Sequence, residues 1–316
     1  MRNVRSSAKW YRKWAWQKRL EEVLLFRTGN YIFKGSARFF TYDLVDLNEQ
    51  VVIDTQFDSS AQYGILLQGP IIPRLTALIS TYYKRLYPDV PIVISTWAGS
   101  DLSEFTHQPS TNFQIVLSDL PGDAGPSNVN LQITSTRKGI QALKGFKCTH
   151  ILKTRTDVLL QSPTFISYLH FMLNKGGETS IVFSSFNSFL FRLFSPSDQI
   201  QFGKTKNVEA FWDVDLVGKG TKFDFPEEYL FKNYLRKYDY RLDDTIDSYW
   251  DALGKFAVIA DHEQLGQIWN KGTYSSLVYR WRSNNFPNSM TQLSTWMWES
   301  IRKNPNYLKS VAAKLK

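Results

Sequence analysis

Three ionisable residues stand at alternate positions in the run His150-Ile-Leu-Lys153-Thr-Arg155-Thr-Asp157. Alternate side chains of an extended chain share one face, so Lys153, Arg155 and Asp157 are expected to project together from the end of a strand. A carboxylate fixed beside two cations can serve a metal-bound diphosphate, with Asp157 as the contact to a divalent ion such as Mn or Mg. The same grouping also reads as a plain ion pair in which a cation neutralises Asp157. Service of a diphosphate at this strand end, with or without metal, requires Asp157 to open onto a cavity shared with Gln68 and Asp198; an acid sealed in the interior would overturn it.

The flanking sequence supplies the elements that must hold these groups. Residues 63–67 form a short apolar run closed by Gln68-Gly69-Pro70, the pattern of a strand ending in a tight turn. Leu75, Leu78, Ile79, Tyr82 and Leu86 then recur at helical spacing until Pro88, and 91–96 is a second apolar run. Such a strand-helix-strand unit is long enough for parallel pairing. A third strand is expected at 113–117, a helix at 131–144 with Asn130 as its cap and Gly145 at its end, and a fourth strand at 148–154. Two β-like runs follow at 180–185 and 199–202. Helices are expected at 226–238, opened by Pro226-Glu227-Glu228, at 292–303 and at 307–316. Alternation of strand and helix predicts an α/β fold with a mainly parallel sheet.

Ligands of open parallel sheets collect at the carboxyl ends of the strands. Here those ends carry Gln68 and Gly69, Thr96, and Arg155 with Asp157. Gly69 suits close approach of a ligand to backbone. Arg137, on a polar stripe with Asn130, Thr134 and Gln141, faces either a phosphate or solvent. Asp101 serves either a nucleotide or an Asp-x-x-Glu capping box with Glu104. Asp198 reads equally as a turn residue and as a grip for a sugar hydroxyl. Glu227 and Glu228 suit the first turn of a helix, and a general base if one of them faces the cleft. His262, between Asp261 and Glu263, would complete a metal site with Asp157, or is a surface histidine.

Composition bounds the class. The chain has 316 residues and a net charge of +9, and seven positive residues precede the first acid, Glu21. Only two units of excess charge therefore remain for the body, which argues against a nucleic-acid groove. Trp10, Tyr11, Trp14 and Trp16 stand among those cations, a mixture suited to an anionic membrane surface. The lone Cys148 rules out an internal disulfide and a cysteine-based zinc site, and fits a reducing, cytoplasmic compartment. No signal peptide is expected, since Glu21, Glu22 and Arg27 interrupt the early apolar residues. The longest uncharged stretch, 158–174, holds Gln161, Pro163 and His170 and is not a membrane span.

Taken in order, Leu67-Gln-Gly-Pro70, Ser95-Thr-Trp97 with Gly99 and Asp101, Asn128-x-Asn130-x-Gln132, Lys153-Thr-Arg-Thr-Asp157, Asn187-Ser-Phe189, Ser197-Asp198 with Phe202-Gly203, and Pro226-Glu-Glu-Tyr-Leu230 resemble the WavE lipopolysaccharide synthesis family. The likeness covers about residues 63–235. Leu131 departs from it, standing where a basic residue is expected. The resemblance implies a GT-A-like, Rossmann-type mainly parallel sheet flanked by helices and a glycosyltransferase that uses a nucleotide-sugar donor and a bacterial surface glycan as acceptor. In that frame Gln68, Gly69, Thr96, Asp101, Arg137, Lys153 and Arg155 bind the donor, Asp157 and His262 the metal, Glu227 or Glu228 is the base, and Asp198 holds the acceptor. The expected division is a basic aromatic lead-in (1–47), a catalytic domain (48–262) and a helical C-terminal extension (263–316), with the basic termini on a membrane. The competing readings are a sugar-phosphate nucleotidyltransferase, which the missing Gly-rich phosphate loop disfavours, and a nonenzymatic protein that binds membrane or nucleic acid.

Overall fold

The computed structural model describes residues 62–105, 111–218, 225–270 and 292–303, with 220, 221, 223 and 306. The basic lead-in at 1–47 and the run at 307–316 lie outside the described residues. In chain order the elements are β1 (Tyr63–Gln68), α1 (Leu75–Leu86), β2 (Ile92–Trp97), β3 (Phe113–Ser118), α2 (Val129–Gly145), β4 (His150–Arg155), β5 (Val158–Leu160), α3 (Phe165–Leu173), β6 (Ile181–Ser184), β7 (Gln201–Lys204), α4 (Thr205–Trp212), α5 (Pro226–Arg236), α6 (Ile246–Phe256), β8 (Ala257–Ala260), β9 (Gln267–Trp269) and α7 (Thr295–Lys303).

Seven strands make one sheet in the order β3-β2-β1-β4-β7-β6-β8, and β5 pairs with β9 in a small second sheet. All neighbours in the large sheet are parallel except β7, which runs against both β4 and β6. The expected mainly parallel α/β architecture is what forms. Strands buried on both faces need continuous apolar sequence, and Ile65, Leu66 and Leu67 of β1 and Ile92, Val93 and Ile94 of β2 are sealed from solvent. The reversal of β7 has a positional effect: the segment 185–200 leaves β6 and enters β7 at the carboxyl edge of the parallel strands.

Register fixes which side chains share a face. Leu66 pairs with Lys153, Lys153 with Gln201, Gln201 with Phe183, and Gln68 with Arg155. That face is covered by α2, α4 and α5. Gln68 donates to Ser135 of α2, Lys153 lies 4.7 Å from the Trp212 ring centroid of α4, and Phe183 packs on Phe211 and on Phe231 of α5. Gly139 allows α2 its close seat, since a Cβ there would come within 2.2 Å of Leu66 Cδ1. The opposite face carries α1 and α3, where Tyr83 and Tyr87 pack on Phe165.

Several details differ from the sequence reading. Asn130 does not cap α2: it lies inside the first turn, and its side chain bridges Asp123 O, Val217 O and Val217 N. β4 ends at Arg155, so Asp157 sits in the turn before β5 rather than on the strand face. Residues 267–269, expected within a helical extension, form β9 and pair with β5. The last helix begins at Thr295 and is docked by Trp298, whose indole N–H reaches Ala257 O at 2.8 Å. Among the described residues no helix is long and apolar enough to cross a membrane.

Candidate active site

The carboxyl end of β4 leads into a buried ionic cluster. Asp157 accepts from Arg155 Nε at 2.7 Å and from Nη2 at 2.9 Å, and from Trp269 Nε1 at 3.2 Å. This two-pronged pairing, with only 3% of the Asp157 side chain exposed, realises the ion-pair reading of the strand end. Asp157 is therefore sealed in the interior, against the expectation that a diphosphate site opens at this residue. The contacts from His262 toward Asp157 run through Phe186 and Trp269, and His262 Nδ1 is engaged by Ser185 Oγ at 2.9 Å and Gln292 Nε2 at 3.1 Å. Burial lowers the His262 pKa against the pull of Glu263 and Asp261. Among the described residues no three His, Cys, Asp or Glu side chains gather as a metal requires. The donor set does not fit a divalent ion.

What the structure does bring together is Lys153, Arg155, Asp198 and Glu227. Lys153 is fully buried and donates to the backbone carbonyl of Asp198. Burial draws its ammonium down to about 8, against the opposing fields of Asp198, Asp157 and Glu227. Glu227 lies one helical turn before Phe231, whose ring packs on the sheet, so both project toward the polar stripe of Lys153 and Gln201. Burial, reinforced by the Asp198 charge, pushes the Glu227 carboxyl up to about 7, while Arg192 and Lys153 act in the other direction. A carboxylate titrating near neutrality is suited to proton transfer. Glu228, its neighbour, turns to Lys232 at 2.7 Å, and Lys232 also pairs with Asp244.

Several polar groups of this cluster are left incomplete. The residue Asp198 is 7% exposed, and its carboxylate takes no hydrogen bond among the described residues. Gln68 Oε1, Gln201 Nε2 and Arg192 Nε are buried without a partner there. Native interiors satisfy nearly all such groups, so these three atoms beside the ionic residues are candidates for a polar ligand, although Ser118, Gln132, Thr136, Thr154 and Ser167 also carry buried unpartnered atoms elsewhere. Arg192 and Gln201 were missed from sequence. The available signal for Arg192 was a single cation inside the aromatic run Phe189-Leu-Phe-Arg-Leu-Phe194.

The remaining expected residues have local duties. Gly69 adopts φ +132, and a Cβ would come within 2.9 Å of Thr156 Oγ1, so glycine is required by the turn itself. Thr96 is buried against Ser100. Asp101 accepts from Ser103 N at 2.9 Å and caps a short turn, which holds its pKa below the usual range, while Glu104 pairs with Arg74 N instead of completing a capping box. Arg137 donates to Trp212 O and Val214 O. Two surface hollows lie apart from the cluster: one of about 360 Å³ lined by Arg137, Asp213 and Lys237, and one of about 610 Å³ lined by Tyr240, Asp247 and Asp251.

Fold and site define an α/β protein with a buried ionic cluster near the carboxyl edge of its sheet. The family model for WavE lipopolysaccharide synthesis matches residues 63–245, and the chain belongs to that family. No curated protein matches the sequence. Among solved structures the chain is similar to the galactosyltransferase LgtC in complex with donor and acceptor sugar analogs, with 10% identity over 80% of this chain and 95% of that chain and a TM-score of 0.35.

Proposed function

We propose that the chain is a glycosyltransferase that moves a sugar from a nucleotide-sugar donor to a hydroxyl of a bacterial surface glycan such as lipopolysaccharide. Membership of a lipopolysaccharide synthesis family supports the substrate class. The observation that carries the chemistry is Glu227, set near neutral pKa beside the Asp198 carboxylate, which takes no hydrogen bond among the described residues, the buried Lys153 and the partly buried Arg192.

In this reading Asp198 accepts from the acceptor sugar and orients it. Glu227 removes the hydroxyl proton as that oxygen bonds to the anomeric carbon. The bond from that carbon to the diphosphate oxygen breaks, and its electron pair leaves with the nucleoside diphosphate. Positive potential at Lys153, Arg155 and Arg192 favours this developing charge in a site where solvent screening is weak. No protein group is assigned to a metal, because both Asp157 oxygens are engaged by Arg155 and Trp269.

The test is a panel of nucleotide sugars scored by thermal shift and by donor hydrolysis, with and without manganese. One donor class is expected to raise the melting temperature, because a ligand of the native state stabilises it by mass action. Glu227→Gln is expected to keep that shift and lose turnover. A panel in which no donor binds would overturn the reading.

A further inference from the structure

Arg192 is held mainly by aromatic faces. Its guanidinium carbon lies 3.2 Å from the centroid of Phe225 and 5.2 Å from that of Phe189. Its contact to Glu227 Oε2 is long, at 3.5 Å, and its buried Nε has no partner among the described residues. A guanidinium stacked on rings keeps its planar fork in place while its hydrogen-bonding capacity stays open. The side chains of Arg192 and Glu227 are 16% and 15% exposed, so both are partly accessible from solvent. The Asp198 carboxylate, without a hydrogen bond among the described residues, faces the same group of charges.

We infer that Arg192 receives an anionic phosphate or diphosphate group of the ligand, and that this contact loosens the Arg192–Glu227 pair, so that anion binding and proton uptake at Glu227 are linked. The inference deepens the transferase reading and rests on it for the ligand class. The charges facing Glu227 are Lys153 and Arg155 from β4, the latter paired with Asp157, and Arg192 and Asp198 from the segment between β6 and β7, with Glu228 also acting on Arg192. The cations Lys153 and Arg192 favour the ionised carboxylate. An arriving anion offsets them, and Glu227 then holds a proton more tightly. With ligand bound, Glu227 is a stronger base that is ionised over a narrower pH range.

The test is calorimetry of inorganic pyrophosphate binding at pH 7 in two buffers of different ionisation enthalpy. The difference between wild type and Glu227→Gln isolates the protons taken up at Glu227 from those of pyrophosphate itself. Wild type is expected to take up a measurable fraction of a proton more than Glu227→Gln. Arg192→Gln should weaken binding at least about tenfold and shrink that difference, since a charge-assisted contact is lost. Arg192→Lys, which keeps the charge without the fork, should fall between and serves as the check should Arg192→Gln fail to fold. Equal uptake in wild type and Glu227→Gln, wild-type affinity in both Arg192 variants, or no pyrophosphate binding to wild type would each overturn the inference. If these results hold but no nucleotide sugar binds, the transferase reading falls alone; if a donor turns over without the uptake difference, only the linkage falls.

Discussion

Arg137 and Arg192 stand on the same side of the sheet and have opposite surroundings. Arg137 joins Lys237 in collaring the C-terminal end of α4: Arg137 reaches Trp212 O and Val214 O, and Lys237 reaches Ala210 O and Asp213 O. Cations placed on the last carbonyls of a helix complete groups that the helix cannot satisfy itself. Around Arg192 the groups are left open, and Glu227 is driven toward neutrality instead of being stabilised as a carboxylate. A finished hydrogen-bond network such as that of Arg137 is what scaffold requires, whereas partly buried charge with open valences makes Arg192 and Glu227 the candidates for receiving a ligand.

The strongest challenge to this contrast is Glu227→Gln, for which turnover should fall by about 10²–10⁴, the range supplied by a general base. A product assay on a variant with unchanged circular dichroism decides it. Asp157→Ala should instead unfold the protein more readily, by about 3–5 kcal/mol in chemical denaturation, because it strands the buried Arg155 charge. A loss of activity without that loss of stability would give Asp157 a chemical role that its pairing does not suggest.

A finer prediction follows from pH. The folded Glu227 pKa of about 7 lies above that of an unfolded glutamate, so the native state binds the extra proton between those values, and Glu227 lowers stability as pH rises through that window. At pH 8 Glu227→Gln should therefore be the more stable protein, by up to about 3.5 kcal/mol, with the gain vanishing near pH 4. A denaturation series across pH reads this directly. In wild type kcat/KM should fall as pH drops below about 7 and the base of the free protein is protonated, with kcat falling from a higher pH because the bound anion holds that proton more tightly.

Gly139→Ala should cost about 1–3 kcal/mol by forcing α2 off Leu66, with thermal unfolding as the readout. The smallest effect belongs to Arg137→Gln, expected to lower stability by about 1 kcal/mol and to leave pyrophosphate affinity unchanged. Weakened pyrophosphate binding in that variant would dissolve the distinction between the two arginines.

Much of the sheet was legible because buried parallel strands carry unbroken apolar runs, and α1 was bounded correctly by its Leu and Tyr spacing and by Pro88. Other elements left weaker signals. α3 is apolar nearly all round, so its sequence has little helical contrast, and β8 follows α6 with no turn residue between them. β5 is held by side chains remote in sequence, including the Tyr83 hydroxyl that accepts from Leu160 N. At the site, Lys153, Asp198 and Glu227 were legible as residue types. Which carboxylate faces the cleft was not, because the choice between Glu227 and Glu228 depends on where Lys232 and Phe231 fall around α5. Asp157 was misplaced because the alternation of Lys153, Arg155 and Asp157 reads as one extended face, whereas the strand ends at Arg155 and the chain turns before Val158.

The segment at 292–303 does more than end the described chain. Leu293 N binds Ser188 O, Gln292 bridges Phe189, and Trp298 fills a slot beside α6 and β8. It thus splints the root of the same segment that carries Arg192 and Asp198, a hundred residues upstream in sequence. Clipping the protein after residue 291 would leave an indole-sized hole and slacken the cleft from behind, so shortening one terminus would silence chemistry that it never touches.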